Sequence, residues 1–378
     1  MTTATLTRTA ADNRVPDEVD ARLTALVTDV AARRKLHHVN LAVIGADGER
    51  RWAGAAGPSE PGTPELTTAT PFFIASVTKR FIITLVLQAH ERGELDLDES
   101  IATYLPPVTT TGLHVLRGVD HTARITVRHL ASHTSGLPDY FDKPREGPSL
   151  YRRLMDGEDL AWSLEDVLRW TREQHRPHFA PQDLSADRQT ARYSDTGFQL
   201  LIHLLETVTG QGFAELLSTR ICEPLGLERT WLPGRSVPAA GTPEPSGLYD
   251  RQRRLDLPNL VRSSNDLGST TEDLLTFQRA LLAGGLFRNA HTVALLTERS
   301  NRLRNMPAMR YGLGTMTFRV NRLAGPGHRP VTLVGHAGVT GSWLFHCPEL
   351  DVHLAGTVDQ ARGRATPFRL MAQVLRSW

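Results

Sequence analysis

Near the N-terminus, apolar residues recur at the spacing of an α-helix. The pattern predicts an amphipathic helix that begins at Asp17 and ends near Lys35. Its apolar positions are Val19, Leu23, Leu26, Val27 and Val30. Residues 1–15 show no such periodicity, and we expect them to form a disordered tail.

Two strand-like runs follow the helix, in HHVNLAVIGADGERRWAGAAG. Asp47 and Gly48 stand between them, which is typical of a β-hairpin turn. Residues 58–70 are rich in Pro, Gly and Thr, and we expect a loop there.

From Ser76 to about Leu260 the pattern is mainly helical. FQLLIHLLETVTG and FAELLSTRICEPLGL are the clearest helices, since Gly or Pro ends each of them. A further helix is predicted in STTEDLLTFQRALLAGG. Ser269 stands three residues before Glu272 there, which indicates a capping box.

The last part of the chain changes to short strands. YGLGTMTFRV, VTLVGHAG, SWLFHC and DVHLAGTV are separated by Gly, Pro and Asp, and FRLMAQVLRSW closes as a helix. Consecutive short strands favour an antiparallel sheet on which the two terminal helices pack together. We therefore predict an α+β fold. Residues 16–75 and 261–378 would form the sheet domain, residues 76–260 a mainly helical domain, and the site would lie between them.

Composition narrows the possible functions. The chain has 378 residues, 40% of them hydrophobic, and a net charge of +2, so nothing indicates nucleic-acid binding. No run approaches the roughly 20 apolar residues that cross a bilayer. The first residues do not resemble a secretory signal, and we expect a cytoplasmic protein. Cys222 and Cys347 are too few for a disulfide framework and are expected to be small buried hydrophobic residues.

Lysine is rare in this chain, because only Lys35, Lys79 and Lys143 occur among 43 Lys and Arg residues. Lys79 stands three residues after Ser76 at the start of a predicted helix over 76–92, so both side chains share one face. Unlike arginine, an amine accepts a hydroxyl proton if its pKa falls from about 10.4 toward neutrality. Burial and the helix dipole should lower it. The alternative is that Ser76 is an N-cap and Lys79 a solvated residue.

Two further segments carry polar groups at element boundaries. In ARYSDTGFQLL, Tyr193 and Asp195 precede a helix, and the phenol could share a proton with Lys79. An ordinary helix entry, capped by Ser194 or Asp195, is the alternative. In LVGHAGVTGSW, His336 ends a strand, and glycines after it permit close backbone approach to a ligand. The alternative there is a hairpin turn with a lone surface histidine.

In this order and spacing, the three segments resemble the serine beta-lactamase and penicillin-binding-protein superfamily. Tyr193 makes the second segment similar to the class C branch, which includes DD-peptidases, esterases and acyltransferases. LASHTSGLPDY and EPLGLERTWLP also resemble segments of that branch. The resemblance implies a beta-lactamase-like fold and a Ser76 nucleophile, activated by Lys79 and Tyr193, that forms an acyl-enzyme. The N–H groups of Ser76 and Val339 would form the oxyanion hole.

The resemblance also implies that Asp195, His336, Ala337 and Gly338 contact the substrate. Two of them depart from the family pattern. Ala337 replaces a Thr whose hydroxyl group helps to hold a substrate carboxylate, and Asp195 replaces an Asn that donates to an amide carbonyl. An ionised carboxylate only accepts hydrogen bonds, so Asp195 would favour a hydroxyl, amine or amide N–H on the acyl group.

These departures, with no export signal recognised, favour an intracellular esterase, amidase or acyltransferase. It would act on an ester, thioester or amide of a small metabolite, with water or a small molecule as acceptor and without a metal or organic cofactor. A D-amino-acid-specific peptidase or amidase, or a beta-lactamase-type hydrolase, is the alternative. No nucleic-acid or membrane partner is expected.

Two rival readings remain at this point. His129 and His133, or His175 and His178, are spaced closely enough for metal ligands, but no HExxH arrangement accompanies them. A non-catalytic member of the family that binds a ligand is the other rival, and it would not be acylated at Ser76.

Overall fold

The computed structural model describes residues 6–7, 13–32, 36–320, 330–363 and 365–378. These residues form a nine-stranded sheet in which each neighbouring pair is antiparallel. In spatial order its strands are Leu6–Thr7, Arg51–Ala56, Val39–Gly45, Val352–Thr357, Ser342–Cys347, Val331–Ala337, Met316–Val320, Met309–Tyr311 and Asn301–Arg302. The sheet thus joins both ends of the chain. The predicted hairpin at Asp47 and Gly48 and the α+β fold are confirmed.

The two terminal helices, Asp17–Ala31 and Thr366–Ser377, pack against each other on one face of this sheet, as predicted. Their apolar residues share a core with the strand residues whose side chains point to that face. That core includes Leu23, Val27, Leu370, Met371, Val43, Trp343 and Phe345. The first helix ends at Ala31, earlier than predicted, and Lys35 itself lies outside the described residues.

Part of the expected N-terminal tail is ordered. Leu6 and Thr7 pair with Ala56 and Ala55 at the edge of the sheet, so the prediction of disorder is wrong for these two residues. The apolar side chain of Leu6 packs against the core beneath the terminal helices, which accounts for the pairing. Residues 1–5 and 8–12 lie outside the described residues.

Most helices cover the other face of the sheet, where Lys79–Glu91 and Asp195–Thr209 pack together at the centre. Thr271–Leu282 packs directly on the sheet. The remaining α-helices are Ile101–Tyr104, Pro107–Thr110, Val127–Ala131, Leu150–Asp156, Leu164–Glu173, Phe213–Leu217, Glu223–Leu225, Pro258–Ser263 and Leu295–Glu298. Short 3₁₀ helices occur at Ala75–Thr78, Thr122–Arg124 and Ala290–Ala294, and a turn of π-helix occurs at Ser218–Cys222. The proposed domain boundaries stay a prediction.

Three small two-stranded ribbons complete the description: Phe72–Phe73 with Gly268–Ser269, Val115–Leu116 with Val119–Asp120, and Leu248–Asp250 with Arg253–Leu255. The first ribbon changes the predicted helix cap. Ser269 belongs to a strand and bonds Thr230, so the helix begins one residue later, with the Thr270 side chain accepting the N–H of Asp273. No helix in the described ranges is both long and apolar enough to cross a bilayer.

Candidate active site

Ser76 lies in a 3₁₀ turn, Ala75–Thr78, that leads directly into the helix Lys79–Glu91. The turn begins with Ala75 in the left-handed region at φ 47°, a conformation that is strained for a residue with a Cβ. A single regular helix from Ser76 was predicted, and the structure has this tighter turn before it. Ile74 and Thr78 occupy the cap positions, so the reading of Ser76 as an N-cap is wrong.

The hydroxyl group of Ser76 faces two groups that sequence analysis placed beside it. Lys79 Nζ donates to Ser76 Oγ at 3.2 Å, and the Tyr193 hydroxyl lies 2.8 Å from the same oxygen. Lys79 is only 4% exposed, which excludes a solvated surface lysine. Two side chains, one from the start of the helix Lys79–Glu91 and one from the segment just before the helix Asp195–Thr209, thus converge on one oxygen atom.

Lys79 departs from the expectation in its protonation. Burial lowers the pKa of its amine, but the negative charges of Asp195 and Asp266 outweigh burial and raise the pKa of Lys79 above its ordinary value. Lys79 also forms an ion pair with Asp195. The expectation of a lowered pKa is therefore wrong, because the sequence alone did not place two carboxylates beside the amine.

Asp195 opens the helix Asp195–Thr209 and lines the same cavity as Ser76. Its Oδ1 contacts Lys79 and lies 3.5 Å from the Tyr193 hydroxyl. The preceding Ser194 makes no side-chain cap bond and instead donates its hydroxyl to Pro138 O at 2.8 Å. The alternative of an ordinary helix entry capped by Ser194 is thus not what the structure shows.

Three further carboxylates, which sequence analysis missed, line the cavity, and two of them have raised pKa values. Burial raises the pKa of Asp139 well above its usual value, and the charges of Asp195 and Asp142 add to this. Burial and the charge of Asp195 raise the pKa of Asp266 to about 7, against the opposing effect of Lys79. Asp139 falls inside LASHTSGLPDY and could have been noticed there. Asp266 comes from a distant loop, and no sequence signal marks it.

His133 contacts both the ring of Tyr193 and the backbone next to it. Its ring packs on the Tyr193 ring with centroids 4.4 Å apart, and its Nδ1 accepts the N–H of Ser194 at 3.2 Å. The nearby His129 bonds Gln182 O and the backbone N–H of Thr126. No group of three or more His, Cys, Asp or Glu residues suited to a metal ion occurs in the part of the chain that the structure describes. The rings of His129 and His133 both hydrogen-bond to the backbone.

The strand Val331–Ala337 and the turn after it form the opposite wall. Ala337, Gly338 and Val339 line the cavity, and Val339 is 39% exposed. A Cβ on Gly338 would lie 2.2 Å from Ser342 Oγ and 2.8 Å from Ile74 O, so this close approach requires glycine. Among the described residues, the N–H groups of Ser76 and Val339 have no hydrogen-bond acceptor.

His336 does not lie where the resemblance implied. Its side chain is fully buried, so it is neither a surface histidine nor part of the cavity wall. Its Nδ1 donates to Ala337 O at 2.9 Å, and its Nε2 accepts the hydroxyl proton of Tyr311 at 3.0 Å. Burial and the charge of Lys79 hold the pKa of His336 well below its ordinary value. We therefore assign it no contact with substrate, because its ring is directed into the protein.

The cavity has a volume of about 1140 Å³. Its polar groups include Ser76, Lys79, Tyr193 and four aspartates, Asp139, Asp142, Asp195 and Asp266. The remaining wall is mostly apolar, and includes Phe73, Tyr140, Phe141, Leu248, Met306, Met309, Met316, Phe318 and Phe368. Such a volume accommodates an organic molecule of moderate size.

Comparison with known proteins agrees with this arrangement. The model of the family described as Beta-lactamase matches residues 23–375. The chain belongs to the beta-lactamase family. Penicillin-binding protein 4 of Amycolatopsis lactamdurans is 30% identical over 68% of this chain and 62% of its own length. Esterase EstB of Burkholderia gladioli is 31% identical over 55% of this chain and 50% of its own length.

Among solved structures, a D-stereospecific amidohydrolase from Streptomyces sp. is similar over nearly the whole chain. It is 25% identical, with a TM-score of 0.69, and the match covers 92% of this chain and 95% of that one. The beta-lactamase-like fold and the resemblance to this family are therefore confirmed. The chain spans about half to two thirds of the length of the two curated relatives described above.

Proposed function

We propose that the protein is a serine hydrolase or acyltransferase that works through an acyl-enzyme on Ser76. The convergence of Lys79 and Tyr193 on the Ser76 hydroxyl, at the wall of a large cavity, carries this proposal. A serine hydroxyl is a weak nucleophile unless adjacent groups remove its proton. In the reaction, Ser76 Oγ attacks the acyl carbon, the leaving group departs, and water or a second molecule takes the acyl group.

The backbone N–H groups of Ser76 and Val339 would stabilise the tetrahedral intermediate. Neither amide has an acceptor among the described residues, and Gly338 allows the turn to lie against the residues that precede Ser76. Removing one such donor typically lowers kcat about 100-fold to 1000-fold. Their availability supports an acyl-transfer reaction in which negative charge develops on a carbonyl oxygen.

The substrate that fits best is an ester, thioester or amide with an apolar portion. The cavity wall is mostly apolar, and Asp195 accepts a hydrogen bond from a hydroxyl, amine or amide N–H on the acyl group. Ala337 offers no hydroxyl group to a substrate carboxylate, which disfavours penicillin and D-Ala-D-Ala peptides. The esterase and D-stereospecific amidohydrolase relatives make esters and amides of D-configured compounds the first to examine.

A substrate panel tests the proposal. Turnover of p-nitrophenyl esters, acyl thioesters and D-amino-acid amides would be measured for the wild type and Ser76→Ala. We expect turnover of at least one class by the wild type and a loss of about 1000-fold or more in the variant. Ser149→Ala provides a matched control, since Ser149 also lines the cavity but only caps a helix. Turnover that survives in Ser76→Ala would contradict the proposal.

A further inference from the structure

We propose that Asp195 is the base that receives the Ser76 proton, and that the Tyr193 hydroxyl group passes it on. The inference rests on the proposed acyl-enzyme and adds a base that the resemblance did not imply. The family pattern has an amide at this position, and an amide cannot take up a proton at neutral pH. The carboxylate of this chain makes a different route available.

The hydrogen-bond geometry supplies that route. Tyr193 lies 2.8 Å from Ser76 Oγ and 3.5 Å from Asp195 Oδ1, so one hydroxyl group bridges the nucleophile and the carboxylate. In this structure Tyr193 donates its hydrogen to Ser76 Oγ. When the O–H turns to Asp195, which as a carboxylate only accepts, the Tyr193 oxygen becomes free to accept the Ser76 proton. The longer contact would have to shorten during the reaction, as is common for catalytic hydrogen bonds in free enzymes.

Lys79 is placed to hold this arrangement. It donates to Ser76 Oγ at 3.2 Å and forms an ion pair with the same carboxylate oxygen of Asp195 that faces Tyr193. As an ammonium group it has three donors and no acceptor. Once the Tyr193 O–H has turned to Asp195, the Lys79 bond to Ser76 Oγ leaves the Ser76 hydrogen to point to Tyr193, and the Lys79 charge would stabilise the alkoxide that develops.

The other groups around Ser76 are poorly suited to take the proton. The charges of nearby carboxylates keep Lys79 protonated, and burial keeps Tyr193 a neutral phenol by raising its pKa well above the ordinary value. His133 Nδ1 already accepts the Ser194 N–H. The titratable groups that interact electrostatically with Asp195 are Lys79, Asp139, Tyr140, Tyr193, Asp266 and Tyr311.

Acylation couples the attack of Ser76 on the acyl carbon to two proton transfers. Ser76 Oγ bonds to the acyl carbon while its proton moves to the Tyr193 oxygen, and the Tyr193 proton moves to Asp195. The electron pair of the carbonyl double bond shifts to the carbonyl oxygen between the two backbone N–H groups. When the carbonyl re-forms, the bond to the leaving group breaks. The proton returns from Asp195 through Tyr193 to the leaving group.

The pH dependence of acylation separates Asp195 from Lys79 as the base. The acylation rate of the wild type would be measured by stopped flow with a p-nitrophenyl ester between pH 7 and pH 10. If Asp195 is the base, Lys79 need not lose a proton, and the rate stays within about threefold from pH 8 to pH 10. A rate that rises about tenfold per pH unit in this range would overturn the proposal, because it would follow the neutral fraction of Lys79.

Two variants sharpen the test. Asp195→Asn removes the carboxylate, and we expect acylation at pH 7 to fall about 100-fold or more. A rate that rises with pH should then appear, since the loss of Asp195 lowers the Lys79 pKa. Asp195→Glu should recover part of the rate. Acylation of Asp195→Asn at the wild-type rate and with the wild-type pH profile would overturn the assignment.

The two proposals fail in different ways. If Ser76 of the wild type is acylated at a rate that rises about tenfold per pH unit between pH 8 and pH 10, only the role of Asp195 is wrong. If no ester, thioester or amide acylates the wild type at any pH, both proposals are wrong. The wild-type profile is decisive even if Asp195→Asn does not fold.

Discussion

The His133 ring lies against the Tyr193 ring with centroids 4.4 Å apart, while His133 Nδ1 accepts the next backbone N–H, that of Ser194, at 3.2 Å. His133 itself has a left-handed backbone, with φ 59°. One side chain thus fixes both the ring of Tyr193 and the chain that carries it. We interpret His133 as a positioning residue that aims the Tyr193 hydroxyl group at Ser76.

The first prediction concerns His133→Asn. Asparagine tolerates the left-handed backbone and still offers an acceptor to Ser194, but it lacks the ring that packs on Tyr193. We expect kcat to fall about tenfold with little change in KM, because the misplaced hydroxyl group affects the reaction more than binding. Steady-state kinetics would check this, and a thermal melt would check folding. An unchanged kcat would show that ring packing does not position Tyr193.

The second prediction concerns Gly338→Ala. The new Cβ would meet Ser342 Oγ and Ile74 O at 2.2 and 2.8 Å, so the turn carrying the Val339 N–H must move. We expect acylation to slow about 100-fold, which is typical for loss of one oxyanion donor. Gly212→Ala is the matched control, since a Cβ there meets nothing within 4 Å. Stopped-flow acylation at a wild-type rate in Gly338→Ala would refute the oxyanion assignment of Val339.

The third prediction tests the role of Ala337 in selecting the substrate. Ala337→Thr adds a hydroxyl group at the cavity wall, where it could bind a substrate carboxylate. We expect the acylation rate with penicillins or with thioesters that carry a carboxylate to rise about tenfold, the size of one hydrogen bond to a charged group. Ala337→Val has a similar shape without the hydroxyl group and should show no gain. Equal effects of both substitutions would mean that shape, and not the hydroxyl group, matters.

The fourth prediction links Asp266 to stability. Its pKa in the folded protein is about 7, against 3.8 as the ordinary value, so between these pH values the folded state binds more protons than the unfolded state. Stability contributed by this group therefore falls as the pH rises from about 4 to about 7. The full shift corresponds to about 4 kcal/mol, and partial exposure at the cavity should reduce it to about 1–2 kcal/mol.

Asp266→Asn removes this titration. The free energy of unfolding would be measured by urea denaturation at pH 5 and pH 8. We expect the value for the variant, minus that for the wild type, to be larger at pH 8 than at pH 5. Asp183→Asn replaces a fully exposed carboxyl group and should show no such gain. The same difference between Asp266→Asn and the wild type at both pH values would mean that Asp266 does not carry a raised pKa.

The sequence predicted those features that depend on local pattern. Strand alternation and the Asp47–Gly48 turn identified the sheet built from both ends, and the rare lysine with its helical spacing identified Lys79 beside Ser76. Features set by distant segments were missed. Asp266 lies on a loop far along the chain from Lys79, and its negative charge helps to raise the pKa of Lys79. The buried His336 bonds the hydroxyl group of Tyr311, which lies two strands away in the sheet.

The most direct test of the account is the mass of the protein during turnover. The wild type and Ser76→Ala would each be mixed with a p-nitrophenyl ester, quenched in acid within the first turnover, and examined by intact mass and peptide mapping. The account predicts that the wild type gains the mass of one acyl group on the peptide containing Ser76, and that the variant gains none. Substrate turnover by the wild type with no trapped adduct, or the same adduct on Ser76→Ala, would contradict it.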